Sequence, residues 1–259
     1  MALSGSTVRC RACGAVVDWT RGFGRYPCPS GALSDRYDAQ AAGPAAERPR
    51  PDAWMDHVDR LLLEQAKGVC IEVGCGVGRF LAKLADRPGV DLVGGLDISP
   101  VSLEKAAGRL GGNLVLSPAE KLPFAQASVT ALLSSYGSLA HVDFPRFLEE
   151  AARVLAPGGA LAFWSFNAWA FTARGLLRGE RHLLDTTLYP NRVGSAALLW
   201  ARLRSSGFRD VTVRGCLAPA GVFRRLGVLP PFVPRPFLPL SGTDVVVTAT
   251  RSGRTSSSR

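Results

Sequence analysis

The feature that most restricts this chain lies between residues 68 and 97. Val69–Val73 is a short apolar run, Gly74-Cys75-Gly76-Val77-Gly78 follows at once, and Val77–Ala85 has helical periodicity. Glycines between a strand and a helix let the backbone turn tightly and approach a ligand closely, while the first N–H groups of the helix stay free. A second predicted strand, Asp91–Leu96, ends at Asp97, where a carboxylate can accept hydrogen bonds from two ribose hydroxyls. Such an arrangement belongs to α/β folds that bind a nucleotide-like ligand at the carboxyl ends of parallel strands.

The rest of the chain repeats the alternation. Helices are predicted at Pro100–Leu110, Phe144–Leu155 and Ser195–Ser205. Strands are predicted at Asn113–Leu116, Val129–Ser134, Ala160–Phe166, Asp210–Arg214 and Asp244–Thr250, the third of them after the turn Pro157-Gly158-Gly159. With the first two strands this gives a doubly wound, seven-stranded, mostly parallel, Rossmann-like sheet. Upstream, Asp52 can cap a helix that runs to about Gln65, with Trp54, Val58, Leu61 and Leu62 at helical spacing. The expected organisation is therefore a small Cys-containing module (1–38), an Ala/Pro linker (39–51), the α/β domain (52–250) and a disordered tail (251–259).

Hydrophobic residues make up 47% of the 259 and charged residues 20%, enough to bury a core, which excludes a disordered chain. Six cysteines are too few for a disulfide scaffold, and no signal peptide or run of about 18 apolar residues is visible. A cytoplasmic protein with reduced thiols is expected. The net charge of +10 is concentrated in residues 167–259, which carry 14 basic and 4 acidic side chains. A basic face of this kind is compatible with RNA, with peripheral contact to anionic lipid, or with an acidic substrate, but a bias towards Arg, Ala and Gly explains it equally well.

From Gly68 to Phe166 the sequence resembles class I S-adenosylmethionine-dependent methyltransferases. Glu72-Val73-Gly74-Cys75-Gly76-Val77-Gly78-Arg79-Phe80 resembles the motif that holds the methionine end of the cofactor, and Leu96-Asp97-Ile98-Ser99 resembles the ribose site. Pro118-Ala119-Glu120-Lys121-Leu122-Pro123-Phe124 resembles the adenine-side loop, although Pro118 stands where many relatives have Asp or Gly. Arg153-Val154-Leu155-Ala156-Pro157-Gly158-Gly159 resembles the approach to the fifth strand. The resemblance implies S-adenosylmethionine as cofactor, with Glu72, Gly74, Cys75, Gly76, Gly78, Asp97, Ile98, Ala119, Glu120 and Ser135 in its site. A dinucleotide oxidoreductase would normally carry Gly-x-Gly-x-x-Gly, and the tighter spacing of Gly74, Gly76 and Gly78 favours the methyltransferase.

Methyl transfer from a sulfonium is an in-line displacement, so alignment and exclusion of water are the main tasks. Tyr136 and His141, just beyond the fourth strand, are the catalytic candidates: Tyr136 lining the pocket, His141 able to take a proton from a hydroxyl or amine, or simply packed at a helix entry. Asn167 and Trp169 are weaker site candidates, and Arg181 and His182 fall in a substrate-side loop. The Asn-Pro-Pro-Tyr and Pro-Cys signatures of two DNA base methylations are absent, so no DNA substrate is expected. Cys10 and Cys13 have the spacing of a zinc knuckle, and Cys28 supplies a third thiolate. A fourth ligand would be Asp35, Asp38, His57 or water. A Cys knuckle ahead of such a domain partly resembles the bacterial 23S rRNA guanine-N1 methyltransferases. The sequence thus leads to methylation of a small-molecule or lipid-like acceptor, with rRNA methylation, or a non-catalytic adaptor that binds S-adenosylmethionine or nucleic acid, as alternatives.

Overall fold

The computed structural model describes residues 6–9, 16–20, 23–25, 32–43, 53–110, 113–168, 195–216, 232–233 and 244–253, and singly Thr172, Leu176, Gly179 and Asn191. Three short strands come first, β1 (Ser6–Arg9), β2 (Val16–Thr20) and β3 (Phe23–Arg25), then the helices α1 (Ala32–Ala42) and α2 (Ala53–Leu63). The alternating part follows as β4 (Gly68–Val73), α3 (Arg79–Ala85), β5 (Val90–Asp97), α4 (Pro100–Leu110), β6 (Leu114–Leu116) and β7 (Val129–Ser134). A 3-10 helix (Ser138–His141) leads to α5 (Phe144–Val154), β8 (Leu155–Phe166), α6 (Ala196–Ser205), β9 (Phe208–Cys216), β10 (Phe232–Val233) and β11 (Asp244–Arg251).

One sheet runs in the order β1-β2-β3-β6-β5-β4-β7-β8-β11-β9-β10. Its centre, β6 to β9, is the expected seven-stranded sheet. Strands β6, β5, β4, β7 and β8 are parallel, and β11 enters antiparallel between β8 and β9. The parallel strands are nearly continuous apolar runs because helices cover both faces. One face buries Phe147, Leu148, Phe163 and Leu203 beneath α5 and α6, and the other buries Leu62, Phe80, Leu84 and Leu103 beneath α2, α3 and α4. Strand order reverses between β4 and β7, which opens a crevice at their carboxyl ends.

Local chemistry explains several element ends. Helix α3 starts at Arg79 rather than Val77 because Gly78 takes the left-handed conformation with φ of 81°. The Asp143 side chain caps α5 by accepting from the Arg146 N–H, Ser195 caps α6 from the Leu198 N–H, and Pro145 fits the first turn of α5. The strand expected from Ala160 begins at Leu155: Leu155 pairs with Val129 and Ala160 with Ala131, so Pro157-Gly158-Gly159 forms an irregularity within β8.

The N-terminal division differs from the expectation. Helix α1 runs through the anticipated boundary at 38/39, and its side chains belong to the α/β domain. Strand β3 pairs in parallel with β6, Gly24 opposite Val115 and Arg25 opposite Leu116, so β1 to β3 extend the main sheet. Cys10, Cys13 and Cys28 lie outside the described residues, as do Asp52, most of the linker, Trp169, Arg181, His182 and the last six residues.

Candidate active site

The turn after β4 is held by backbone bonds to the neighbouring strand. The N–H groups of Gly74 and Cys75 both donate to the Leu96 carbonyl, at 2.8 and 3.0 Å. Gly74, with φ of 70°, has no room for a side chain: a Cβ there would lie 2.3 Å from the Ser138 Cβ. Ser138 fastens the turn from the other side, its Oγ donating to the Gly74 carbonyl at 3.1 Å. Gly76 also has a positive φ, 51°, but a Cβ added to it would meet nothing within 4 Å. Its open side is the cavity.

That cavity has a volume of about 460 Å³. Of the residues singled out from the sequence, Gly74, Cys75, Gly76, Asp97, Ile98, Ala119, Glu120, Tyr136 and His141 line it. Asp97 braces the turn, Oδ2 accepting from the Gly76 N–H at 2.8 Å and Oδ1 from the Ser99 N–H at 2.9 Å. The Ile98 N–H is a third backbone donor to this carboxylate, so of its roughly four acceptor positions about one is left for a ribose hydroxyl. Burial pushes the Asp97 carboxyl up, against the opposing effect of these N–H donors. Glu120 accepts from the Asp143 N–H at 2.7 Å through Oε1, tying the loop after β6 to the start of α5.

Glu72, Ser135 and Gly78 stand behind the wall rather than on it. Ser135 donates to Glu72 Oε1 at 2.5 Å, both side chains are buried, and Glu72 Oε2 has no hydrogen-bond partner. Burial drives the Glu72 carboxyl well above the usual carboxylate range, with Asp59 and Asp97 adding to the effect. Tyr136 sits in a left-handed backbone conformation, φ 56°, and packs edge-on against Trp164 at 5.5 Å. Its hydroxyl lies 3.4 Å from Asp59 Oδ2, and burial together with that carboxylate pushes the phenol up to about 12. Asp59 is itself buried and takes Lys83 Nζ at 2.6 Å.

Sequence reasoning missed one whole side of the cavity. Leu33, Ser34, Tyr37, Gln40 and Ala41 of α1 line it, and the Tyr37 ring stands edge-on to His141 at 5.7 Å and 79°. The signal was weak, because α1 is short and polar and follows the cysteines. Also missed was Asn191, whose Nδ2 donates to the carbonyls of Leu139 and Val142 and whose N–H donates to Ala140, bracketing the turn that carries His141. Phe163 and Trp164 are core residues, and Asn167 is buried. Among the described residues, no group of three or more His, Cys, Asp or Glu side chains could hold a metal ion. Asp38, a candidate fourth zinc ligand, is hydrogen-bonded to Ser99 and Val101.

Residues 71–163 match the family model described as a methyltransferase domain. Over this segment the chain is similar to methyltransferase domains. The chain is 35% identical over 96 residues to the phthiotriol/phenolphthiotriol dimycocerosates methyltransferase of Mycobacterium leprae, an alignment covering 36% of each chain. The chain spans less than half the length of the curated relatives it matches. Among solved structures, a chain from the complex between the Haloferax volcanii Trm112 methyltransferase activator and its methyltransferase superposes with a TM-score of 0.66 at 19% identity, over 87% of this chain and 100% of that one. An S-adenosylmethionine-dependent methyltransferase from Thermotoga maritima superposes with a TM-score of 0.55 at 26% identity, over 76% and 92%.

The residues fit the cofactor such a domain uses. Gly76 leaves open space where a Cβ would intrude, Asp97 keeps an acceptor position at the end of β5, and Ala119 adds an apolar lining residue.

Proposed function

We propose that this chain transfers the methyl group of S-adenosylmethionine to a small-molecule or lipid-like acceptor. The observation that carries this reading is the part of the cavity wall made by Leu33, Tyr37, Leu139, His141 and Val142, largely apolar with one imidazole. A wall of this composition suits an uncharged, largely apolar body. The similarity to a methyltransferase of phthiotriol and phenolphthiotriol dimycocerosates supports the same class.

When bound, the cofactor supplies an electrophilic methyl carbon on a positively charged sulfur. The chain's own residues provide alignment. The Gly74–Gly76 turn and Asp97 hold one side of the cavity, and the Ser138–His141 turn presents the acceptor side. The acceptor's lone pair forms the new bond to carbon, the sulfur keeps the electrons of the bond that breaks, and a hydroxyl or amine acceptor must lose a proton. His141, half-buried beside Tyr37, is placed to receive it.

Incubating the protein with labelled S-adenosylmethionine and a fractionated cell extract tests the acceptor class. Label is expected in organic-soluble small molecules, and label confined to RNA would replace this reading with the rRNA one. With a hydroxyl acceptor, His141→Ala should lower turnover by about 10²–10⁴-fold. A loss below about tenfold, with fold and cofactor binding intact, removes His141 as the base.

A further inference from the structure

Helix α1 forms one side of the cofactor cavity, yet its 11 residues are too few to be helical without docking. What docks it is a short run of hydrogen bonds. Asp38 Oδ1 accepts from Ser99 Oγ at 2.5 Å and from the Val101 N–H at 3.2 Å, and Ser34 Oγ donates to the Ile98 carbonyl at 2.9 Å. Val101 lies in the first turn of α4, where an N–H has no partner within its own helix. Asp38 therefore caps α4 from another helix, with its negative charge at the positive end of the α4 dipole. The fully buried Ser99 continues the run, its N–H donating to Asp97 Oδ1 while Asp97 Oδ2 takes the Gly76 N–H.

We propose that Asp38 is a positioning residue that makes cofactor affinity depend on the docking of α1. The sequence Asp38, Ser99, Asp97, Gly76 joins three walls of the cavity: α1, the junction of β5 with α4, and the glycine-rich turn. Loss of Asp38 withdraws the brace on Ser99 and frees the helix that brings Ser34, Tyr37 and Gln40 to the cavity. Linkage requires the converse: a ligand held between α1 and the turn strengthens the docking of α1.

The inference rests on the cofactor assignment, and the experiment separates the two. Calorimetry with S-adenosylhomocysteine is carried out on the full chain and on Asp38→Ala, Asp38→Asn, Ser99→Ala and the Asp38→Ala/Ser99→Ala pair, with hydrogen exchange of residues 32–42 followed with and without ligand. Asp38→Ala should weaken binding by roughly tenfold, and Asp38→Asn, which keeps an acceptor oxygen, by less than about threefold. The double variant should bind about as weakly as Asp38→Ala alone. Ligand should slow exchange in α1 of the parent but not of Asp38→Ala. Parent-like affinity in Asp38→Ala, additive losses, or ligand protection of α1 that survives Asp38→Ala would each overturn the proposal. Should Asp38→Ala not fold, Ser99→Ala removes the hydroxyl donor to Asp38, and unchanged affinity in that variant overturns it equally. Failure of the parent to bind S-adenosylhomocysteine would count against the cofactor assignment itself.

Discussion

The two sides of the cavity are built differently. The side formed by the turns after β4, β5 and β6 is fixed by backbone: Gly74 and Cys75 bond to Leu96, and the Ser117 N–H bonds to the Asp97 carbonyl at 3.0 Å. These turns leave a parallel ladder in which β4 is hydrogen-bonded on both edges. The opposite side, α1 and the Ser138–His141 turn, is held through side chains, by Ser34 and Asp38 on one part and Asn191 on the other. Backbone ladders tolerate almost any side chain, whereas a side-chain latch is lost with one substitution.

The contrast is tested most severely within the glycine turn. Gly74→Ala combines a left-handed backbone with collision against Ser138 and should cost about 2–4 kcal/mol of stability, lowering the melting temperature by roughly 5–15 °C. Gly76→Ala meets no protein atom, so its stability loss should be about 1 kcal/mol while cofactor affinity falls, because its methyl enters the cavity. Equal effects of the two on melting temperature and affinity would break the distinction between a packed and a ligand-facing glycine.

Asp97→Ala comes next. If Asp97 holds the ribose, this removes that acceptor and the brace on the Gly76 N–H, an expected loss of about 1.5–3 kcal/mol in binding, or roughly tenfold to a hundredfold by calorimetry. Unchanged affinity would move the ribose elsewhere.

The smallest effect concerns Glu72, buried behind the backbone-built side. Its folded carboxyl is raised by burial, so its contribution to stability is full below the unfolded value and is lost as pH rises through the folded one. Glu72→Gln removes that dependence and keeps an acceptor for Ser135. The melting temperature of the variant relative to the parent should therefore climb by about 2–4 °C per kcal/mol between pH 5.5 and pH 8. A constant difference across that range would show that Glu72 carries no such penalty.

The backbone-built side was legible in the sequence because its physics is local. Val69–Val73 and Val129–Ser134 are the largely apolar runs that strands buried on both faces require, and the positions of Gly74, Gly76 and Asp97 relative to those runs place them at strand ends. Pro100–Leu110 matches α4 end to end. Helix α1 was not legible, since Ser34 and Asp38 act on Ile98, Ser99 and Val101, more than 60 residues away, and no periodicity announces such a contact. The same holds for Asn191, about 50 residues from the carbonyls it brackets. Cysteine spacing drew the eye to residues 10–28 and hid the fact that the strands around them continue the sheet.

The pairing of β3 with β6 has a consequence for solubility. Strand β6 would otherwise end the parallel part of the sheet with a row of open N–H and carbonyl groups, a template for any extended chain nearby. Gly24 and Arg25 occupy that template. Two further strands, β2 and β1, then move the exposed rim away from the apolar centre to a short antiparallel meander. Strands β1 to β3 thus cover this margin, and a version of the chain without them should show more sideways self-association.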